Sequence, residues 1–111
     1  MFGANPDSRD RAGLTPLMKA ARQRKSIESV LLLISYGADV NAMADARNDY
    51  RTVMHYAVLG GSTEIVNLLI KQGAKVNYES PDLNKPSPLD LAILKGDIDM
   101  LQLLLSAGKN I

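Results

Sequence analysis

The chain has 111 residues, 46% hydrophobic and 23% charged, the proportions of one globular domain with enough apolar mass for its own core. A net charge of +1 offers no global field to nucleic acid or an anionic membrane, and the absence of cysteine excludes a disulfide framework and any thiolate site. No apolar run approaches the roughly 20 residues of a bilayer span, and the opening residues lack the apolar stretch of a secretory signal.

In chain order, residues 3–10 (Gly-Ala-Asn-Pro-Asp-Ser-Arg-Asp) read as a turn. Residues 15–21, Thr-Pro-Leu-Met-Lys-Ala-Ala, place an N-cap threonine before a proline at the first helical position, where its missing N–H costs nothing. A short helix is expected there, then a link at 23–26. A second helix follows, on which Val30, Leu33 and Ile34 recur at helical spacing. It should stop at Gly37, where a left-handed residue is needed. The same order returns twice. Residues 52–58, Thr-Val-Met-His-Tyr-Ala-Val, lead through Gly60-Gly61-Ser62 to an apolar stretch at 65–70 and then Gly73. Residues 87–93, Ser-Pro-Leu-Asp-Leu-Ala-Ile, lead through Lys95-Gly96-Asp97 to 98–105 and then Gly108. The starts Thr15, Thr52 and Ser87 lie 37 and 35 residues apart, while start to closing glycine takes 22, 21 and 21. Length variation therefore falls in the connecting loops. No helix of this size is stable alone, so each pair must hide its apolar face against its neighbours.

These three segments resemble the ankyrin repeat, with its T-P-L-H-x-A signature and period of about 33 residues, and the closing Gly-Ala-Asp-Val-Asn (37–41) and Gly-Ala-Lys-Val-Asn (73–77) resemble its turn. The resemblance implies an all-α solenoid of three helix-pair repeats plus the tail of a preceding one, joined by β-hairpin-like loops. The repeats fall at 10–43, 47–79 and 82–111, with the tail at 1–9, 34 residues before the matching turn. On this reading the chain is a piece of a longer array. Several features depart from the pattern. The first inter-helix turn has an extra residue and no glycine, and the loops at 43–51 and 79–86 are about three and two residues longer than is usual. Gly13 keeps the family's glycine two residues before the threonine, but Tyr50 and Lys85 replace it. A side chain in that left-handed position is strained, so the two long hairpins are expected to take a different path.

Little in the sequence suggests catalysis. The single histidine, His55, forms no metal cluster or catalytic constellation. The resemblance gives it the family's structural role of bonding the threonine and nearby backbone, with Met18 and Asp90 in its place in the other repeats. Asp97 and Asp99 open a helix, where carboxylates favour the positive dipole end, and read as solvated caps. Gly60-Gly61-Ser62 lacks the Gly-Lys-Ser/Thr ending of a phosphate loop. Asn41 and Asn77 recur at one position of the closing turn and read as hydrogen-bonding the hairpin backbone. The resemblance also makes them candidate substrates of an asparaginyl hydroxylase.

The resemblance further implies a concave groove lined by the first helices and hairpin tips. In register the helices contribute Arg22 and Gln23, then Leu59 and Gly60, then Leu94 and Lys95. The tips contribute Arg11 and Leu14, then Asn48, Asp49, Tyr50 and Arg51, then Leu83, Asn84 and Lys85. Leu59 and Leu94 either form a small apolar strip or lie under the long hairpins. Tyr50 and Arg51 are the residue types that dominate binding hot spots. Leu31, where a charged residue is usual, marks a second, convex contact or an isolated exposed leucine. The expected function is a non-catalytic protein–protein interaction scaffold for a partner protein or extended peptide, without cofactor, metal or membrane insertion. It would be a monomeric part of a larger protein of the cytoplasm or nucleus. One alternative is an accessory targeting or regulatory domain of a larger enzyme. Another is a weak nucleic-acid-binding module through Arg22, Arg24 and Lys25, less favoured because no aromatics interleave for stacking.

Overall fold

A computed structural model describes residues 5–78, 82 and 84–108. It contains three helix pairs: α1 (Pro16–Ala21) with α2 (Ile27–Ser35), α3 (Val53–Gly60) with α4 (Thr63–Lys71), and α5 (Pro88–Lys95) with α6 (Ile98–Gly108). The first helices form one layer, in which α3 packs against both α1 and α5, and α2, α4 and α6 form the other. Each pair also packs internally, giving a stack of 41 × 27 × 25 Å. Between the layers lie Leu17, Met18, Val30, Met54, Ile65, Leu69 and Met100, all essentially inaccessible to solvent.

The local reasons for these helices are those in the sequence. Thr15, Thr52 and Ser87 all sit in extended backbone immediately before their helix. Gly37 (φ 92°) and Gly73 (φ 94°) stop α2 and α4 in the left-handed region, so that the Ala38 and Ala74 N–H groups return to the Leu33 and Leu69 carbonyls. Gly108 differs: it is the last helical residue of α6, and residues 109–111 lie outside the described part.

Stacking also depends on register. Ala21 and Val58 are fully buried where the next first helix packs over them, whereas Ile93, at the same position of the third pair, is 57% exposed. Leu32 is 60% exposed, while its equivalent Leu68 packs against the core. A unit's apolar face is finished by its neighbour, as a solenoid requires. Gly60 sets the closest approach in the stack. A Cβ there would lie 2.5 Å from the Arg22 carbonyl oxygen and 2.8 Å from that of Ala21.

The hairpin between the first two pairs corrects one expectation. A bridge joins Met43 and Thr52, with the Ala44 N–H donating to Arg51 O (2.7 Å) and the Val53 N–H to Ala42 O (3.3 Å). The extra residues form a single 3-10 turn, Ala46–Asn48, and Asp49 (φ 57°) and Tyr50 (φ 55°) both follow it in the left-handed region. Tyr50 therefore keeps the conformation of Gly13 (φ 85°) rather than avoiding it. The Asp45 carbonyl receives the N–H groups of both Asn48 and Tyr50 (3.0 Å each), which holds the turn closed against a strain of about 1 kcal/mol. Lys85, at the matching place of the later hairpin, does not share this left-handed backbone.

Candidate partner-binding site

Each first helix carries the same capping exchange with a different acceptor at its third position. The Thr15 N–H donates to the Met18 sulfur (3.5 Å), the Thr52 N–H to His55 Nδ1 (2.9 Å), and the Ser87 N–H to Asp90 Oδ2 (3.1 Å). Because Nδ1 accepts, the neutral ring carries its proton on Nε2, facing the Pro86 carbonyl. Burial, together with the charge of Arg51, holds His55 down at about 4 against the opposing Pro86 contact. The ring meets Tyr78 edge-on at 6.3 Å. His55 is thus a neutral structural cap.

At the hairpin edge, tips from successive units are laced together. Asp10 accepts from the Ala12 and Leu14 N–H groups and pairs with Lys19 at 3.2 Å. The Leu14 bond, with Lys19, holds the Asp10 carboxyl below its ordinary value. From the next unit, Arg47 Nη1 donates to the Arg11 carbonyl (3.1 Å) and Asn48 Nδ2 to the Ala12 carbonyl (2.6 Å). Arg47 also pairs with Asp45 at 2.8 Å, which lowers the Asp45 carboxyl in turn. Asp49 receives Lys85 of the third unit at 3.1 Å and Arg51 at 3.9 Å. Asn41 makes the corresponding link at the closing turns, donating to Gly73 O (3.1 Å) and accepting from the Lys75 N–H (2.8 Å). Asp7 accepts from the Asp39 N–H (2.8 Å) one unit earlier, and Asn77 accepts from the Leu89 N–H (3.1 Å). The Asp45–Arg47 clasp went unread in the sequence, since nothing in a loop tripeptide announces which carbonyl it will reach.

The sequence-selected residues divide accordingly. Asn48 and Asp49 have their polar groups engaged inside the hairpin edge, and Arg51 is half-buried beside Tyr56, whose hydroxyl burial pushes above its usual value. Arg11 is exposed and Leu14 half-buried, and Leu83 lies outside the described residues. Tyr50 is 48% exposed on its rigid turn. On the helix face Arg22 and Gln23 are exposed, Gln23 accepting from the Ser26 hydroxyl at 3.2 Å. Leu59 is half-buried against the core, whereas Leu94 is 75% exposed and not covered by a hairpin. A shallow groove beside it runs past Asn84, Lys85, Pro86, Asp90 and Ile93. Lys95 Nζ donates to the carbonyls of Val58 (3.2 Å) and Leu59 (2.7 Å), capping the end of α3 from the next unit. Leu31 is 48% exposed on α2. Asp97 Oδ1 accepts from the Met100 N–H (3.2 Å), a helix cap, and no metal-holding group of His, Asp or Glu occurs among the described residues. Nor is any described helix long and apolar enough to cross a membrane.

Two layers of short helices, stacked unit on unit and bound edge to edge through hairpins, define a helical repeat solenoid. The family model described as "Ankyrin repeat" matches residues 12–45, and that described as "Ankyrin repeats (3 copies)" matches 42–111. The chain belongs to the ankyrin-repeat family, whose repeats are protein–protein interaction modules. It is 33% identical over 94 residues to "Palmitoyltransferase ZDHHC17" of Danio rerio, covering 85% of this chain and 14% of that protein. It is 34% identical over 100 residues to "Probable E3 ubiquitin-protein ligase XBOS34" of Oryza sativa subsp. japonica (90% and 19%). To "Rabankyrin-5" of Homo sapiens it is 35% identical over 105 residues (93% and 9%). The chain therefore spans less than a fifth of the length of each of these relatives.

Proposed function

We propose that these residues form a non-catalytic scaffold of a larger intracellular protein, its repeats running 10–43, 47–79 and 82–111, and that an extended segment of a partner protein lies along the first helices and hairpin tips. The observation that carries this reading is the exposure of two large side chains, Tyr50 on a turn held by internal hydrogen bonds and the uncovered Leu94 of α5. Rigid aromatic and aliphatic anchors give up little conformational freedom on binding. Arg11, Arg22, Gln23 and Lys85, on the hairpin tips and the end of α1, add exposed polar groups. The test compares proteins captured from cell extract by the wild-type chain with those captured by a Tyr50→Ala, Leu59→Ala, Leu94→Ala variant of unchanged helix content. Loss of specific capture is expected, and an unchanged set of captured proteins would refute the groove.

A second reading, an accessory domain of a larger enzyme, is supported by the names of two relatives, a palmitoyltransferase and a probable ubiquitin ligase, of which this chain covers 14% and 19%. In that case the chemistry resides outside these residues, and the module selects what the enzyme acts on.

A further inference from the structure

We infer that the notch between the inter-helix turns binds a carboxylate side chain of the partner, so that the bound segment is an acidic one interspersed with apolar residues. This rests on the groove reading above and specifies its occupant. At the second turn Gly60 is closed against the Ala21 and Arg22 carbonyls. Gly61 has no side chain and that of Ser62 is buried as the cap of α4, which leaves a floor of backbone. Across that floor stand cations from the units on either side. A Cβ at Gly61 would lie 3.5 Å from Lys95 Nζ and 4.0 Å from Arg24 Nη1, so the two positive groups converge on one point. Arg22 and Lys25 extend the same end and are exposed.

These cations converge with no counter-charge among the described residues. Four ion pairs among the described residues engage Lys19, Arg47, Arg51 and Lys85, all with hairpin-edge aspartates. Among the described residues, no carboxylate reaches within 4.0 Å of Arg22, Arg24, Lys25 or Lys95. Of the acids that start the second helices, Asp97 is already bound to the Met100 N–H. Lys95 Nζ donates two of its three N–H groups to the Val58 and Leu59 carbonyls, which leaves one donor and the charge beside the Arg24 guanidinium. Like charges converging without a counter-ion repel, and an incoming carboxylate relieves that repulsion while gaining a charge-assisted bond from each cation. Leu94, 75% exposed and adjacent to Lys95, gives a neighbouring apolar residue a seat. Nucleic acid is disfavoured because this end presents no exposed aromatic on which bases could stack.

The probe is a fluorescein-labelled peptide of alternating Glu and Leu, followed by anisotropy, beside the same peptide with Gln for Glu and an oligothymidylate of equal charge. The Glu peptide should bind, weaken as salt rises, and lose at least about tenfold in affinity with Arg24→Glu, Lys25→Glu. Lys71→Glu, on the outer layer, should leave it unchanged at matched ionic strength. Failure of the Glu peptide to bind, an equal loss in Lys71→Glu, or tighter binding of the oligothymidylate would each overturn the assignment. If the peptide fails while capture from extract still depends on Tyr50, Leu59 and Leu94, the groove stands and only its acidic occupant falls.

Discussion

The two edges of the stack treat charge in opposite ways. At the hairpin edge, Asp10, Asp45 and Asp49 are each tied to a cation, and Arg47 and Asn48 reach the backbone of the preceding tip. At the turn edge, Arg22, Arg24 and Lys25 project from a loop without such partners, and the glycines beside them let the helices approach closely. Polar groups on one edge hold neighbouring units in register, while those on the other remain available to something outside the fold. Substitutions at the hairpin edge should therefore be felt as stability, and charge changes at the turn edge as binding.

The largest expected effect tests the exception at the turn edge, its glycines. Gly60→Ala places a methyl 2.5 Å from a backbone oxygen that cannot rotate away, and should cost about 3 kcal/mol in urea denaturation. Gly61→Ala, at φ 83° with only the flexible tips of Lys95 (3.5 Å) and Arg24 (4.0 Å) near, should cost about 1 kcal/mol. Equal costs at the two positions would mean that α1 and α3 are not this close.

Acid should be nearly as disruptive at the other edge. His55 has a folded pKa near 4 against 6.5 when unfolded, so between these values only the unfolded chain binds the proton. The stabilisation is thus complete above about pH 6.5 and lost as pH falls toward about 4, by up to roughly 3 kcal/mol. A His55→Gln variant should lack that component of the pH–stability curve, and an identical curve would show that the ring is not held neutral.

Smaller effects sharpen the contrast. Asn48→Ala removes the bond to the Ala12 carbonyl and should cost about 1 kcal/mol, whereas Arg24→Ala should stay within about 0.5 kcal/mol of wild type. Comparable losses in thermal melts of the two variants would erase the difference between the edges. Opposite in sign, Tyr50→Gly should gain up to about 1 kcal/mol by relieving a left-handed tyrosine. Partner capture should fall at the same time, and a variant that lost both would point to Tyr50 as a packing residue.

The capping boxes show how far the sequence could be read. Thr15, Thr52 and Ser87 announce three helix starts whatever follows, because the cap is formed within four residues. Met18, His55 and Asp90 could be placed in one role by register together with the family resemblance, although a thioether, an imidazole and a carboxylate share no chemistry beyond a lone pair. The candidate site was less legible. Leu59 and Leu94 occupy equivalent positions, yet one is half-buried and the other open, since α5 packs over the end of α3 and no described helix packs over the end of α5. Tyr50 was read as forcing a new path, when hydrogen bonds to the Asp45 carbonyl hold the old one.

The sequence by itself determined the helix pairs, their order, their starts and most of their stops, and hence a repeat that must stack, because caps, glycines and apolar spacing act over a few residues. Tertiary structure alone decided which charges are engaged and which are free. Arg47 finds the carbonyl of Arg11 and Arg24 converges with Lys95 across distances in sequence of 36 and 71 residues. Such meetings are set by the rotation and spacing of one unit on the next, which no local pattern encodes.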